Sequence, residues 1–171
     1  MKIRYIYNDI SSVNAVYKSL NKSDRIKING GKGLGDDKDY LHDPEGDFAT
    51  KYVKSGDAAF ICTALIDNEP AGFIELERHW DKDHYTTKSE AAIAVNPKYR
   101  GQGIASKLVK KALEYVKSDD RYNTIEWYSA TNNYASSALA VRSGFKFTDQ
   151  ITSRDKHTKL NLYIWKKYLH I

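Results

Sequence analysis

The chain has 171 residues, of which 41% are apolar and 29% charged, and a net charge of +5. This balance fits one globular domain, 1–171, with enough apolar side chains for a core, and excludes a disordered or fibrous protein. The positive charge sits on lysines scattered along the chain rather than in a basic block interleaved with aromatics, so no nucleic-acid partner is expected.

The N-terminal segment MKIRYIYND has no signal-peptide core, and KIRYIYN alternates as a first strand. In SSVNAVYKSLNKS, Val13, Val16, Tyr17 and Leu20 fall near helical spacing behind a serine cap. The following NGGKGLGDDKDYLHDPEGD is rich in glycine and acid and reads as a loop, without the spacing of a phosphate loop. AAFICTALID and AGFIELERHW read as a hairpin joined around Asn68-Glu69-Pro70. The run from Ala58 to Ile66 is the longest apolar one, far short of the roughly 20 residues that cross a bilayer, so no membrane partner is expected. It also carries the only cysteine, Cys62, which excludes an internal disulfide and, with no signal segment, points to the cytoplasm.

KSEAAIAVN is a further strand, stopped by Pro97. Beyond it Ile104, Leu108, Ala112 and Val116 form one apolar stripe, with lysines on the opposite face of the helix. NTIEWYSA alternates as a strand, and NNYASSALAVRSG is a helix with asparagine at its cap and Gly144 past its end. FKFTDQIT and LNLYIWKKY close the chain as a hairpin. The order β-α-loop-ββ-β-α-β-α-ββ predicts an α/β fold, a mixed central sheet of about seven strands with helices on both faces. His42, His79, His84 and His157 lack ligand spacing, and no metal site is expected.

Within this order, VNPKYRGQGIASKL (residues 95–108) places Gly101 and Gly103 where a helix begins. The first amides of a helix are unpaired and carry partial positive charge, and glycine lets a bulky anion come close to them. Arg100, Gly101, Gln102, Gly103, Ile104 and Ala105 therefore read as a pyrophosphate cradle. A dinucleotide fingerprint and a P-loop lysine-serine pair are both missing, which leaves coenzyme A as the leading ligand.

VNPKYRGQGIA resembles motif A of the GNAT superfamily of N-acetyltransferases, whose core is [QR]-x-x-G-x-[GA]. NYASSALAVRSGF, Asn133 to Phe145, resembles that superfamily's second motif, an asparagine-headed helix ending in Gly-Phe. The resemblance is specific over about residues 88–147 and implies acetyl transfer from acetyl-CoA to a primary amine by direct attack in a ternary complex. It implies that amides from Gly101 to Ala105, with Arg100 nearby, hold the pyrophosphate. Ile93, Ala94 and Val95 would offer main-chain groups to the pantetheine arm, and one such amide would polarise the thioester carbonyl. A bulge near Val95–Asn96 would splay two strands apart, and Asn133 would bond the pantetheine. A monomer or homodimer is expected.

The chain departs from the pattern where many members carry a tyrosine that protonates the thiolate, a position filled here by Ala140. Ser136 is the next candidate and matches a subgroup resembling ribosomal-protein alanine acetyltransferases, while Tyr134 and Tyr128 remain alternatives. For the base, Glu126 comes first and Glu90 second, with Glu75 and Glu77 on a neighbouring strand. The acceptor is expected to be a cationic small-molecule or peptide amine, drawn in by the carboxylates of 36–47. The missing tyrosine also admits a non-catalytic coenzyme A-binding module.

Overall fold

The computed structural model describes residues 2–28, 58–81, 86–118, 122–153 and 161–169. Its elements in chain order are β1 (Ile3–Tyr7), α1 (Ile10–Ser19), α2 (Lys22–Ile28), β2 (Ala58–Ile66), β3 (Glu69–Asp81) and β4 (Thr86–Val95), followed by a 3₁₀ turn at Pro97–Tyr99. Then come α3 (Ile104–Lys117), β5 (Tyr122–Ala130), α4 (Tyr134–Arg142), β6 (Lys146–Ser153) and β7 (Asn161–Tyr168). The strands form one sheet in the order β1-β2-β3-β4-β5-β7-β6. All neighbours are antiparallel except β4 and β5.

The two periodicities sort the core onto two faces. Along β2 and β3, Phe60, Cys62, Ala64, Ile74 and Leu76 point to one side, where α3 contributes Ile104, Leu108, Val109, Ala112 and Val116. Leu139 of α4 joins this cluster with Trp127, whose ring meets Phe145 edge-on at 5.5 Å. Alternate residues Ile61, Phe73 and Ala94 point to the other side, where α1 seats Val13, Val16, Tyr17 and Leu20. Helices thus cover both faces. Full burial of each large aliphatic side chain contributes on the order of 1.5–3 kcal/mol, which is what fixes α3 to the sheet.

Several local expectations are corrected. The cap of α1 is Asp9 rather than a serine: its Oδ1 accepts from Ser11 N–H, and the Ser11 and Ser12 hydroxyls donate to its carboxylate at 2.8 and 2.6 Å. These bonds hold the Asp9 carboxyl below the usual range, Ser12 contributing most. The β2–β3 turn is Asp67-Asn68, both at positive φ (49° and 66°), as a two-residue hairpin loop demands. Glu69 and Pro70 belong to β3, where a register shift between Ala64 and Leu65 accommodates the proline. A second short helix, α2, follows α1 and is capped by Asn21 Oδ1, which accepts from Asp24 N–H at 2.9 Å. The acidic 36–47 segment and His42, His79, His84 and His157 lie outside the residues whose side chains are described.

The sheet divides in its middle. β4 and β5 pair only from Thr87/Tyr122 to Glu90/Glu126. Beyond that rung β4 stays with β3 as far as Val95, and β5 stays with β7 as far as Ala130. A four-stranded half and a three-stranded half therefore diverge from a short parallel seam. The expected bulge at Val95–Asn96 is not the cause, because the β3–β4 register runs uninterrupted from Asp81/Thr86 to Gly72/Val95 and continues with Asn96 N–H to Ala71 C=O at 2.9 Å.

Candidate active site

The divergence opens a cleft of about 710 Å³, within the range of small-molecule sites (about 300–1,000 Å³). Ala92–Val95 line one wall, Trp127 and Tyr128 another, and residues of the α3 and α4 N-termini lie at its end. At the α3 end, Gly101 and Gly103 both have positive φ, 77° and 74°. Gly103 is the left-handed cap of α3, whose first intrahelical bond is Lys107 N–H to Gly103 C=O, so the amides of Ile104, Ala105 and Ser106 have no intrahelical acceptor. A Cβ added at Gly101 or Gly103 would meet no protein atom within 4 Å. The glycines thus have two roles: they permit the left-handed turn, and they keep the space before the amides open.

The turn that aims this cradle is braced from below. Asn96 Oδ1 caps the 3₁₀ turn by accepting from Lys98 N–H, and the Tyr99 hydroxyl and the Lys98 ammonium both donate to Glu69 of β3. Arg100 is part of the same bracing. Its Nη2 donates to Asp24 of α2 at 2.8 Å and its Nε to the Val95 carbonyl at 3.2 Å. Arg100 lines the cleft where the pyrophosphate was expected, with two of its five N–H donors engaged by Asp24 and Val95. Arg142, in the last turn of α4, is a second cleft-lining cation, one that the motif reading did not pick out.

The three β4 residues expected to meet an extended ligand do not act alike. Asn96 N–H bonds Ala71 C=O, so in an antiparallel ladder Ala94, two residues earlier, also turns its amide and carbonyl to β3. Ile93 and Val95 turn theirs to the opposite edge, where β5 has diverged. The Val95 carbonyl accepts from Arg100, which leaves the Ile93 groups and the Val95 amide aimed at the cleft.

Across the cleft, α4 is fastened to the sheet by two indoles. Trp127, 2% exposed, donates from Nε1 to Ser136 Oγ at 2.9 Å. Trp165 donates to Ser129 Oγ at 2.9 Å, and Ser129 in turn shares a 3.0 Å bond with Ser137. Asn133 Oδ1 caps the helix by accepting from Ser136 N–H, and Asn133 and Ser136 both line the cleft. With the indole occupying an acceptor position on Ser136 Oγ, the hydroxyl proton is left to point elsewhere. Tyr134, the first residue of α4, is 78% exposed and is not among the residues lining the cleft.

Glu126 stands at the last rung where β4 and β5 pair, opposite Glu90, and is 5% exposed. Its Oε2 accepts from the Tyr128 hydroxyl at 2.6 Å, and its Oε1 meets Lys166 Nζ of β7 at 3.0 Å. Tyr128, two residues on, lines the cleft. Glu126 therefore meets the cleft through a phenol it already bonds. Glu75 is buried in β3 with Ala92 as its neighbour in register. The side chains of Glu77 and Glu90 lie outside the described residues. Sequence reasoning missed Lys166 and Asp24, whose importance depends on strand and helix neighbours distant in the chain.

The model of the Acetyltransferase (GNAT) family matches residues 17–145, a span containing α3, the cradle and α4. An uncharacterized N-acetyltransferase of Archaeoglobus fulgidus is 30% identical over 112 residues, covering 63% of this chain and 74% of that protein. Among solved structures, an N-acetyltransferase from Staphylococcus aureus Mu50 matches with TM-score 0.73 and 19% identity, over 99% of both chains. A GNAT superfamily phosphinothricin acetyltransferase from Sinorhizobium meliloti, in complex with acetyl-CoA, matches with TM-score 0.72 and 16% identity over 99% of this chain and 89% of that one. The spermidine/spermine N-acetyltransferase SpeG of Vibrio cholerae matches with TM-score 0.68 and 14% identity over 98% and 95%. The chain belongs to the GNAT family of acetyltransferases.

Proposed function

We propose that the protein transfers an acetyl group from acetyl-CoA to a primary amine by direct attack within a ternary complex. The observation that carries this reading is the continuity of one cleft, from the open α3 amides along the diverging edge of β4 to Tyr128 and Ser136. The residues fit acetyl-CoA on their own chemistry. Unpaired helix amides behind two side-chain-free positions suit a pyrophosphate, and the outward Ile93 and Val95 groups suit an amide-bearing arm. Gly101 to Ala105, Ile93, Val95 and Asn133 would hold it, with Arg142 adding positive charge. Bound acetyl-CoA supplies the thioester to be attacked.

The protein's own groups then have separable tasks. Ser136, oriented by the Trp127 indole, donates its hydroxyl proton toward the sulfur side of the cleft. An indole bond to the serine oxygen polarises that hydroxyl and makes it the better donor. The pair Glu126–Tyr128 accepts a proton from the amine, with Glu90, opposite Glu126 in register, as the second candidate base. The acceptor is a cation at neutral pH, a reading supported by the carboxylates of Asp36, Asp37, Asp39, Asp43, Glu45 and Asp47 and by the polyamine named for the Vibrio cholerae neighbour. Cytoplasmic location is part of the same proposal; among the described residues no helix is long and apolar enough to cross a membrane.

The test is thiol release from acetyl-CoA across a panel of amines: spermidine, an aminoglycoside, amino acids and a peptide with a free N-terminus. Turnover with one of them establishes the reaction and its acceptor class. Calorimetric binding of acetyl-CoA without turnover on any amine replaces the enzyme by a coenzyme A-binding module.

A further inference from the structure

Glu126 sits in a setting that a motif does not encode. A solvated strand glutamate needs no partners, yet this carboxylate is 5% exposed and has a different donor on each oxygen. Lys166 approaches from β7 at 3.0 Å, with its own side chain 31% exposed. Tyr128 approaches from β5, the strand of Glu126 itself, at 2.6 Å and is the member of the trio that lines the cleft. The charged positions in register around the site include Glu90 on β4, Glu77 opposite it on β3, Lys166 on β7 and Lys146 opposite Lys166 on β6.

We propose that Tyr128 takes the proton from the acceptor amine while handing its own to Glu126, and that Lys166 is the positioning residue that keeps Glu126 ionised to receive it. The inference rests on the acetyl-transfer reading and deepens it. A substrate ammonium donates an N–H to the phenolic oxygen, whose own proton is already directed at Glu126 Oε2. As the N–H bond breaks and a new O–H bond forms, the former Tyr128 O–H bond breaks toward the carboxylate. Nitrogen keeps the electron pair as a neutral amine, Tyr128 is again a phenol, and Glu126 becomes a carboxylic acid. The proton then leaves to water on the side where Lys166 is partly exposed. No step requires a free phenolate, whose formation near pH 7 is opposed by a pKa near 10. Lys166 counters the burial that would otherwise favour a neutral Glu126, so the acceptor stays charged at neutral pH.

Two measurements separate this relay from its rivals. The first needs no amine: the Glu126 carboxyl carbon is followed by NMR in protein labelled with ¹³C-glutamate, the resonance being assigned with Glu126→Gln. Its titration midpoint should rise by about one pH unit or more in Lys166→Met and return toward wild type in Lys166→Arg. The second is turnover of spermidine, or the panel amine that is acetylated, at saturating acetyl-CoA. The acid limb of kcat/KM should move up with the midpoint in Lys166→Met, and Tyr128→Phe should lower kcat by about 10²-fold or more. An unmoved midpoint in Lys166→Met, or Tyr128→Phe within about threefold of wild type while Glu126→Gln is inactive, overturns the relay, the latter because Glu126 then meets the amine directly. A moved midpoint with no turnover on any amine instead overturns the acetyl-transfer reading and leaves only a structural ion pair.

Discussion

Gly103→Ala separates what the cradle glycine does for the fold from what it does for a ligand. Gly103 sits at φ 74°, ψ 12°, the left-handed region, where a side chain costs about 1–2 kcal/mol. For a chain of this size that corresponds to a fall in Tm of roughly 2–8 °C. This penalty is present with and without ligand, so it does not by itself change affinity. An added Cβ meets no protein atom within 4 Å, so steric strain in the free protein adds nothing further. Any loss of acetyl-CoA affinity must then come from the methyl group standing where the pyrophosphate approaches the α3 amides. Disturbing those bonds should cost about 1–3 kcal/mol, a weakening of roughly 5- to 150-fold in calorimetry. Gly144→Ala is the matched control: its φ is 80° and its Cβ would meet Lys167 Nζ at 2.5 Å, but it lies past α4 rather than at the cradle. It should be destabilised and bind normally. If Gly103→Ala loses stability and binds acetyl-CoA as tightly as wild type, the glycine serves the turn alone and the phosphate site must be sought elsewhere.

Ser136→Ala should lower kcat by about tenfold or more and Trp127→Phe by a smaller factor, while Tyr134→Phe, altering an exposed ring, should leave kcat unchanged; a larger loss in the tyrosine variant would transfer the role of acid to it. Asp24→Asn should release Arg100 and remove a negative charge from the cleft, so acetyl-CoA should bind several-fold more tightly in calorimetry, the gain shrinking as salt rises. Asp9, whose folded-state pKa is lowered mainly by the Ser12 hydroxyl and then by Ser11, stabilises the fold above its unfolded pKa, and that contribution fades as pH falls through the lower folded-state value. Urea titrations of Asp9→Ala should therefore show a deficit against wild type at pH 7 that narrows toward pH 3. Cys62 is buried, and desolvation pushes its thiol up to about 11, so a thiol reagent should label the native protein slowly and the urea-unfolded protein at once.

What was legible in the sequence was legible because the cause is local. Alternation in KIRYIYN and NTIEWYSA requires strands, the Ile104-Leu108-Ala112-Val116 stripe requires a helix with one buried face, and positive φ at Gly101, Gly103 and Gly144 explains why glycine stands at each. Local reasoning still misassigned Asp9 and Pro70. An aspartate two residues before Ser11 accepts the Ser11 amide and starts the helix earlier, and a proline, common in turns, is seated in a strand here by a register shift. The helix α2 escaped notice because Lys22–Ile28 is short and shows no sustained apolar stripe; what anchors it includes Asp24 bonding Arg100, 76 positions away.

The site itself was legible in proportion to how much of it is backbone. A helix start with two glycines announces unpaired amides wherever it occurs, which is why the cradle could be placed from residues 100–105 alone. Proton chemistry depends on which side chains the sheet order makes neighbours. Because β7 inserts between β5 and β6, Lys166 comes to face Glu126 rather than sitting on an outer strand. That one topological choice places a cation beside the carboxylate. Glu126 thereby changes from a lone candidate base into the middle member of a bonded trio that meets the cleft through Tyr128. A glutamate two residues before a tyrosine is common in alternating strands and specifies no chemistry. With the lysine added from the neighbouring strand, each oxygen of the carboxylate has its own donor, and the phenol links it to the cleft.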